Sequence, residues 1–326
     1  MDFTTNKKMR ILYLPSFYAQ QRQYEKKANI YPILLAMEAT WHKNQGDMVD
    51  WNNAIGRYDR IISEPEGLPF LSLPHANRLL TKWWKYQDNG NFKYKPATYI
   101  QSAKDCWWHK CTFCRWAVKY PNYEVRIVED VVNEIFECKL CGFKEVFDDS
   151  GTFPIGQWLE DFCKRVIDVK IKLGCNMRIV DVDYKLMKWA GFRMLLFGLE
   201  SANQYTLDRI NKGIKVEDIK YIIKASKVGL EPHISVMFGY PWETDKDAIN
   251  TLKLVWWLLK KGYAKTAQAS FYRPFDNIVK SNHRKYVKRI YDVWKSPQFW
   301  FNQLKDIKDK NDLRYLWKKI KVGLWH

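Results

Sequence analysis

Three cysteines within one short segment could bind a metal centre. The segment reads Cys106-Trp107-Trp108-His109-Lys110-Cys111-Thr112-Phe113-Cys114. Four residues separate the first two cysteines, and two separate the last two. Thiolates this close in sequence indicate a metal ion or an iron–sulfur cluster. Three thiolates on a four-iron cluster would leave one iron open to a further ligand, which a closed four-thiolate structural site cannot do.

A structural zinc site is the alternative interpretation of these cysteines. Cys111 and Cys114 are followed by a second pair with the same spacing, Cys138 and Cys141, and two such pairs are typical of structural zinc sites. The second pair, however, lies within and at the end of a predicted helix, where cysteines are expected to face the core or the helix terminus. Both interpretations stay open on this evidence. The two remaining cysteines are expected to be small buried side chains: Cys163 and Cys175.

Short apolar segments alternate with amphipathic segments from residue 97 onward. This alternation is typical of successive strand–helix units around a parallel sheet. The segments 194–199 and 234–238 are almost continuously apolar, as expected of strands that are covered on both faces. Six strands are predicted, at residues 97–103, 144–148, 176–180, 194–199, 233–238 and 267–272.

Helices with apolar residues every three or four positions connect the predicted strands. Five glycines follow these helices where a glycine would end each one before the next strand: Gly142, Gly174, Gly191, Gly229 and Gly262. The predicted fold class is therefore α/β, with a partial (βα)6 TIM-like barrel, a small Rossmann-like N-terminal layer and a helical C-terminal extension.

The flanking regions have patterns of their own. The N-terminal region predicts a reduced Rossmann-like layer, and the C-terminal region, with 13 Lys and Arg against 5 Asp, predicts a basic helical extension. The predicted N-terminal elements are a strand at 11–14, a helix at 33–41 and strands at 48–51 and 59–63. The predicted domains are residues 1–96, the barrel at 97–274 and the extension at 275–326.

Polar residues and glycines stand where several predicted strands end. The loops after the strands of a parallel α/β barrel meet at one end and form its active face, and the three-cysteine segment follows the first strand. Any one of the carboxylates or serines could instead cap the helix that follows it, but together they predict a binding site at the barrel mouth. The residues are Asp148, Asp149, Ser150 and Gly151 at strand two, Glu200 and Ser201 at strand four, Gly239, Tyr240 and Pro241 at strand five, and Arg273 and Pro274 at strand six.

This ordered set of motifs resembles the radical S-adenosylmethionine (radical SAM) superfamily, and more narrowly its branch with a cobalamin-binding domain. The resemblance implies a [4Fe–4S] cluster on Cys106, Cys111 and Cys114, with S-adenosylmethionine as the second cofactor. It also implies one-electron cleavage of S-adenosylmethionine to methionine and a 5′-deoxyadenosyl radical, which then modifies an unknown substrate. The electron would come from a reductase or a flavodoxin-type donor.

The resemblance further assigns residues to S-adenosylmethionine, while no side chain is assigned as a catalytic base. The expected contacts are Phe113 near the adenine; Asp148, Asp149, Ser150 and Gly151 near the methionine amino group; Glu200 and Ser201 near the ribose; Lys212 near the carboxylate; and Gly239 and Pro241 in the fifth-strand signature at residues 237–244.

Two features depart from the pattern of that superfamily. The first two cysteines are separated by four residues, whereas three are usual in the family. The N-terminal region is shorter than a complete cobalamin domain and has no Asp-x-His-x-x-Gly segment. Cobalamin therefore stays open as a third cofactor. With it, the resemblance implies methyl transfer to an unactivated carbon; without it, hydrogen-abstraction chemistry such as oxidation, rearrangement or cyclisation.

The net charge of +18 predicts an anionic partner. Basic residues alternate with apolar ones over residues 299–324, which predicts amphipathic helices that would suit an anionic membrane surface or RNA. The alternative is that the apolar face packs on the barrel.

The rival function is a zinc-stabilised nucleic-acid-binding protein without catalysis. Since no apolar segment reaches the ~20 residues of a membrane span, we expect a cytoplasmic protein, with peripheral membrane contact left open.

Overall fold

The N-terminal region folds as a small parallel sheet with one helix. The computed structural model describes residues 8–15, 32–52, 57–87, 89–114, 116, 118, 120, 122–272 and 283–324. The first four elements are β1 (Arg10–Tyr13), α1 (Ile33–Asn44), β2 (Met48–Trp51) and β3 (Arg60–Ile62). All strand pairs are parallel, in the order β2-β1-β3. The predicted α/β layer is thus confirmed, with the strand order that begins a flavodoxin-like sheet.

Six parallel strands form the central sheet. They are β4 (Ala97–Ile100), β7 (Glu145–Asp148), β8 (Lys172–Met177), β9 (Phe192–Glu200), β10 (Glu231–Phe238) and β11 (Thr266–Phe271), while β5 (Ala103–Lys104) and β6 (Glu124–Val125) form a short antiparallel pair. Each strand of the large sheet pairs with the next one along the chain. Within the described residues β4 and β11 do not pair, so the sheet is an open, partial barrel. The parallel (βα) architecture is confirmed.

Helices cover the outer face of this sheet. They are α2 (Val128–Leu140), α3 (Gln157–Val166), α4 (Tyr184–Trp189), α5 (Gln204–Arg209), α6 (Ile219–Lys227) and α7 (Asp245–Lys260), followed by α8 (Arg284–Arg289), α9 (Pro297–Lys305) and α10 (Lys310–Leu324). Four of the five predicted helix-ending glycines have positive φ angles as expected. The predicted core positions of Cys138, Cys163 and Cys175 are confirmed, since all three are buried. No helix in the described part of the chain is long and apolar enough to cross a membrane.

The prediction for the third barrel strand was wrong. The strand spans Lys172–Met177 instead of 176–180, and Gly174 lies inside it instead of ending a helix. The preceding helical turn ends at Lys170, which has a φ of 54°. Gly174 is needed within the strand because a Cβ there would lie 2.8 Å from the ring of Phe147 on β7. Arg178 therefore follows the strand, whereas the sequence placed it in the middle.

The N-terminal region packs against residues of the central sheet. On the inner face of the sheet, Tyr99, Phe147 and Met194 share one buried cluster with Tyr13 and Trp51. The outer-face residues instead pack against the helices in a second cluster. The N-terminal layer and the barrel therefore share a core, and the division predicted at residue 96 stays a prediction.

A buried ionic network closes the amino-terminal end of the strands. Arg193 donates to Glu145 at 2.7 Å and to Glu231 at 2.7 Å. Lys93 pairs with Glu231 at 2.8 Å and also contacts Asp312 of α10. Because α10 is tied to this end, the opposite end, where the strands finish, is left for a binding site.

Two further buried carboxylates fix the segments that flank the barrel. Glu134 on α2 accepts hydrogen bonds from Arg78 at 2.7 Å and Arg126 at 2.6 Å. Although burial acts to raise its pKa, the two guanidinium groups lower that pKa to about 2. Glu38 on α1 accepts from the backbone N–H of Glu66 at 2.9 Å, and burial raises its pKa to about 7. One carboxylate is held ionised and the other is disposed to hold a proton.

The C-terminal helices use only part of their apolar surface to contact the barrel. Phe299 is buried, while Phe301 on α9 and Trp317 on α10 are 62% and 58% exposed. Leu304 and Leu313 are also more than half exposed. The expectation that the apolar face simply packs on the barrel is therefore met by some of these side chains and not by others.

Candidate functional site

The cysteine segment runs between β5 and β6 at the carboxyl ends of the strands. Cys106, Cys111 and Cys114 are thiols and are partly buried. The loop turns at Asp105 and His109, whose φ angles are 70° and 50°. Asp105 is fully buried, and its Oδ2 contacts His109 Nδ1. This carboxylate–imidazole pair links Asp105, directly before the first cysteine, to His109 within the four-residue spacer that follows it.

The second-strand motif supports the cysteine loop directly. Asp148 accepts hydrogen bonds from the backbone N–H groups of Ser102 at 2.9 Å and Ser150 at 3.0 Å. Ser150 Oγ in turn accepts from the Ala103 N–H at 2.9 Å. A Cβ on Gly151 would lie 2.9 Å from the Asp105 carbonyl oxygen, so only glycine lets the two loops approach this closely. Both oxygens of Asp148 are thus engaged beneath the loop.

A tryptophan joins the cysteine loop to the segment beyond β9. The indole N–H of Trp108 donates to the Asn211 carbonyl at 2.8 Å, and the Thr112 N–H donates to the Ile210 carbonyl at 3.0 Å. The Trp108 ring occupies the space where a side chain on Gly213 would stand. The segment at 208–213, which carries the predicted site residue Lys212, and the cysteine loop therefore form one packed unit.

Lys212 and Glu200 form a buried pair at this mouth. The Lys212 ammonium lies 2.8 Å from Glu200 Oε1, and both side chains are 9% exposed. Gly198 makes room for the pair, because a Cβ there would lie 2.6 Å from Glu200 Oε1 and 2.8 Å from Lys212 Nζ. The Lys212 ammonium is also 5.8 Å from the centre of the Phe113 ring. Three predicted site residues from three segments are thus in one place.

Burial and nearby positive charge act in opposite directions on the Cys111 thiol. Burial raises its pKa, and the charges of Lys212 and Arg178 act to lower it. Burial outweighs the two cations, so the pKa of Cys111 stays above its usual value and the positive charges offset only part of the cost of a thiolate here.

Arg178 is a site residue that sequence reasoning missed. It follows β8 directly, is 5% exposed, and lies over the Trp108 ring at 4.5 Å and the Trp107 ring at 5.3 Å. Its Nη2 donates to the Lys212 carbonyl. A correct end for the third strand would have placed it with the other residues at the strand ends.

The remaining predicted residues lie around the same mouth. Ser201 is buried and its hydroxyl accepts from the Asn203 N–H at 3.2 Å, so it shapes the turn before α5. The Asp149 carboxylate lies 3.5 Å from the Asn176 amide nitrogen. The Gly239 N–H donates to Glu243 at 2.6 Å, and Pro241 is exposed. The strand-six residues Arg273 and Pro274 lie outside the described residues.

Unsatisfied buried polar atoms converge on this mouth. Eight such side-chain atoms occur in the described part of the chain, and five of them belong to the loops after the barrel strands. They are Asp105 Oδ1, Trp107 Nε1, Arg178 Nε, Tyr240 Oη and Glu243 Oε1. Since buried polar groups are normally hydrogen-bonded, this concentration indicates a site built for a polar ligand. With three thiols beside it, the donor set suits an iron–sulfur cluster and a polar cofactor.

No group of three His, Cys, Asp or Glu side chains among the described residues, the loop cysteines included, is already arranged to hold a metal ion. Of the second cysteine pair, Cys138 is buried in the core and Cys141 is exposed at the end of α2. Burial raises the pKa of Cys138 to about 12. The two pairs therefore differ in environment, and nothing in the described residues supports the zinc alternative.

Comparison with known families identifies the class. The sequence model of the Radical SAM superfamily matches residues 103–255, which run from β5 into α7. The chain thus carries a radical SAM domain, and enzymes of this family use a [4Fe–4S] cluster and S-adenosylmethionine.

Individual relatives resemble this chain only at low sequence identity. An uncharacterized methyltransferase of Pyrococcus horikoshii is 26% identical over 182 residues, which cover 49% of this chain and 38% of that protein. The radical SAM methyltransferase TsrM of Kitasatospora setae, bound to tryptophan and a SAM analogue, has a TM-score of 0.50 at 15% identity over 64% of this chain and 39% of its own. The cobalamin-dependent radical SAM enzyme OxsB, with aqua-cobalamin bound, has a TM-score of 0.50 at 16% identity over 70% of this chain and 36% of its own. The chain therefore spans well under half of these relatives, and the structural likeness is one of fold.

Proposed function

We propose that this protein is a radical SAM enzyme that holds a [4Fe–4S] cluster on Cys106, Cys111 and Cys114 and cleaves S-adenosylmethionine reductively. The observation that carries the proposal is the packing of the three-cysteine loop against Gly151 on one side and the 208–213 segment on the other. When bound, the cluster and S-adenosylmethionine supply an electron and a carbon-centred radical that initiates the reaction on the substrate. The electron donor is a reductase or a flavodoxin-type protein.

The protein's own residues bind S-adenosylmethionine and orient it beside the cysteine loop. Lys212 offers a positive charge to the methionine carboxylate, and Glu200 offers carboxylate oxygens to hydroxyl groups of the ribose. Asp148 holds the cysteine loop from beneath, so its role in this proposal is positioning rather than direct contact. Trp107 and Trp108 keep water from the cluster side of the site. The other predicted cofactor contacts remain part of the proposal: Phe113, Asp149, Ser150, Gly151, Ser201, Gly239 and Pro241.

Anaerobic reconstitution tests this proposal. The protein should bind about four iron and four labile sulfide per chain and should release 5′-deoxyadenosine from S-adenosylmethionine under reducing conditions. Cys111→Ala should lose both properties. Cys141→Ala is the matched control, since it removes an exposed cysteine outside the loop and should lose neither. One zinc per chain without sulfide, lost in both variants, would instead establish the zinc-stabilised alternative.

The reaction that we propose is methyl transfer. Its support is the relative from Pyrococcus horikoshii, which is named a methyltransferase and aligns with about half of this chain. Cobalamin is proposed as a third cofactor because the N-terminal sheet has the strand order β2-β1-β3. Spectroscopic titration with hydroxocobalamin tests this part: no binding would exclude methyl transfer in its cobalamin-dependent form and leave hydrogen-abstraction chemistry.

A peripheral membrane location is proposed from the C-terminal helices. Phe301, Leu304 and Trp317 are exposed among lysines, and exposed apolar side chains suit a lipid surface better than RNA. Co-sedimentation with vesicles containing anionic lipid should therefore exceed that with neutral vesicles, and Phe301→Ser should weaken it. A tRNA gel shift in place of vesicle binding would favour RNA as the partner.

A further inference from the structure

Arg178 carries a buried positive charge at the mouth of the barrel. Its side chain forms no ion pair with Asp or Glu in the described part of the chain, and its Nε is buried without a hydrogen-bond partner. The neighbouring cation, Lys212, is different because Glu200 pairs with it at 2.8 Å. Since an unpaired charge is costly to bury, an anion is expected beside Arg178 when the protein is in its working state.

The surroundings of Arg178 belong to the cysteine loop. Burial lowers the pKa of the Arg178 guanidinium, and the charges of Cys111 and Cys106 act most strongly in the opposite direction. The Trp107 and Trp108 rings lie within 5.3 Å of the guanidinium carbon and shield it from solvent. The charge therefore lies against the part of the loop that follows the proposed ligand Cys106.

We propose that Arg178 raises the reduction potential of the cluster by placing this buried charge against the cysteine loop that holds it. The inference rests on the proposed function. Reduction adds one electron from the external donor to the cluster and forms or breaks no bond, so the reduced cluster is more negative by one charge. A fixed cation in a solvent-poor site stabilises that state more than the oxidised one.

A matched control comes from Lys110 in the same loop. Its ammonium lies 5.1 Å from the Trp108 ring, but the residue is exposed and solvent screens its charge. Lys110→Gln therefore changes the net charge of the protein by the same amount as Arg178→Gln and at nearly the same place, but it removes no buried cation. Burial is the variable that separates Arg178 from Lys110.

The test is a redox titration of the reconstituted full chain without S-adenosylmethionine, followed by electron paramagnetic resonance. Arg178→Gln should hold as much iron and sulfide as the wild type but have at least tenfold less reduced cluster at a given solution potential. For a one-electron couple this is a shift of about 59 mV to more negative potential. Lys110→Gln should shift the midpoint by much less, and Arg178→Lys should stay close to the wild type.

The outcomes separate this inference from the proposed function. If the wild type forms no cluster, the proposed function fails. If the wild type forms one but Arg178→Gln has an unchanged potential, or shifts only when S-adenosylmethionine is present, the inference is overturned. Should Arg178→Gln fail to hold the cluster, Arg178→Lys decides: a wild-type potential supports the role of the charge, and a tenfold loss of reduced cluster refutes it.

Discussion

Replacing Gly213 by alanine should displace the cysteine loop. A Cβ at this position would fall within 2.8 Å of three atoms of the Trp108 ring, which must retreat before ordinary contact at about 3.4 Å is restored. The φ of 65° adds about 1 kcal/mol of backbone strain for a non-glycine residue, and overpacking adds about 1–3 kcal/mol. The retreat also strains the hydrogen bond to Asn211 and the contact with Arg178. We expect Gly213→Ala to lower the free energy of unfolding by about 2–4 kcal/mol.

Gly142→Ala provides the control for the backbone term. Gly142 has a φ of 85°, but a Cβ added there would have nothing within 4 Å of it, so this variant should lose only about 1 kcal/mol. Denaturant unfolding measures both losses in stability. Iron content after anaerobic reconstitution shows whether the cysteine loop still binds a cluster, and it should be lowered in Gly213→Ala alone. Adding Trp108→Ala to Gly213→Ala should cost less than the two single changes together. Equal losses in the two glycine variants would refute the packing argument.

Three further predictions concern buried groups. Glu134→Ala should lower the free energy of unfolding by about 3–5 kcal/mol near neutral pH, because it leaves two buried guanidinium groups unpaired. Since the folded pKa of Glu134 is about 2, the stabilisation that its carboxylate provides is present above pH 4.5 and is lost as the pH falls towards about 2. Glu38 has a raised pKa of about 7, so the free energy of unfolding of the wild type should fall by up to about 3 kcal/mol as the pH rises from 4.5 to about 7. The Glu38→Gln variant should not show this fall. Parallel pH profiles of the two proteins in chemical unfolding would contradict the prediction. Gly198→Ala should separate Lys212 from Glu200 and weaken S-adenosylmethionine binding at least tenfold by calorimetry, with iron and sulfide unchanged; unchanged affinity would show that the pair does not contact the cofactor.

Local patterns in the sequence determined most of the elements. The apolar segments placed five of the six barrel strands to within three residues at either end, and the N-terminal strand–helix–strand–strand order was also predicted. These features depend on side-chain periodicity over a few residues, which the chain carries locally. The three-cysteine segment is local in the same sense, because its nine residues are consecutive.

The third strand was misplaced because its signal is not local. Gly174 resembles a helix terminator in the sequence, but the Phe147 ring on the neighbouring strand requires a glycine there. The error moved Arg178 from the strand end into a predicted strand and so removed it from the candidate site. A contact between residues on different strands, Gly174 and Phe147, therefore decided where the third strand lies.

The geometry of the site was decided by tertiary contacts. Trp108 meets Gly213 and Asn211 across more than a hundred residues, and Lys212 meets Glu200 only because Gly198 leaves space between two strand-end segments. The sequence determined which chemical groups are present and which strand each one follows. Only the folded sheet decided which of them touch, because parallel strands bring residues distant in sequence to one edge and side-chain packing then selects the neighbours.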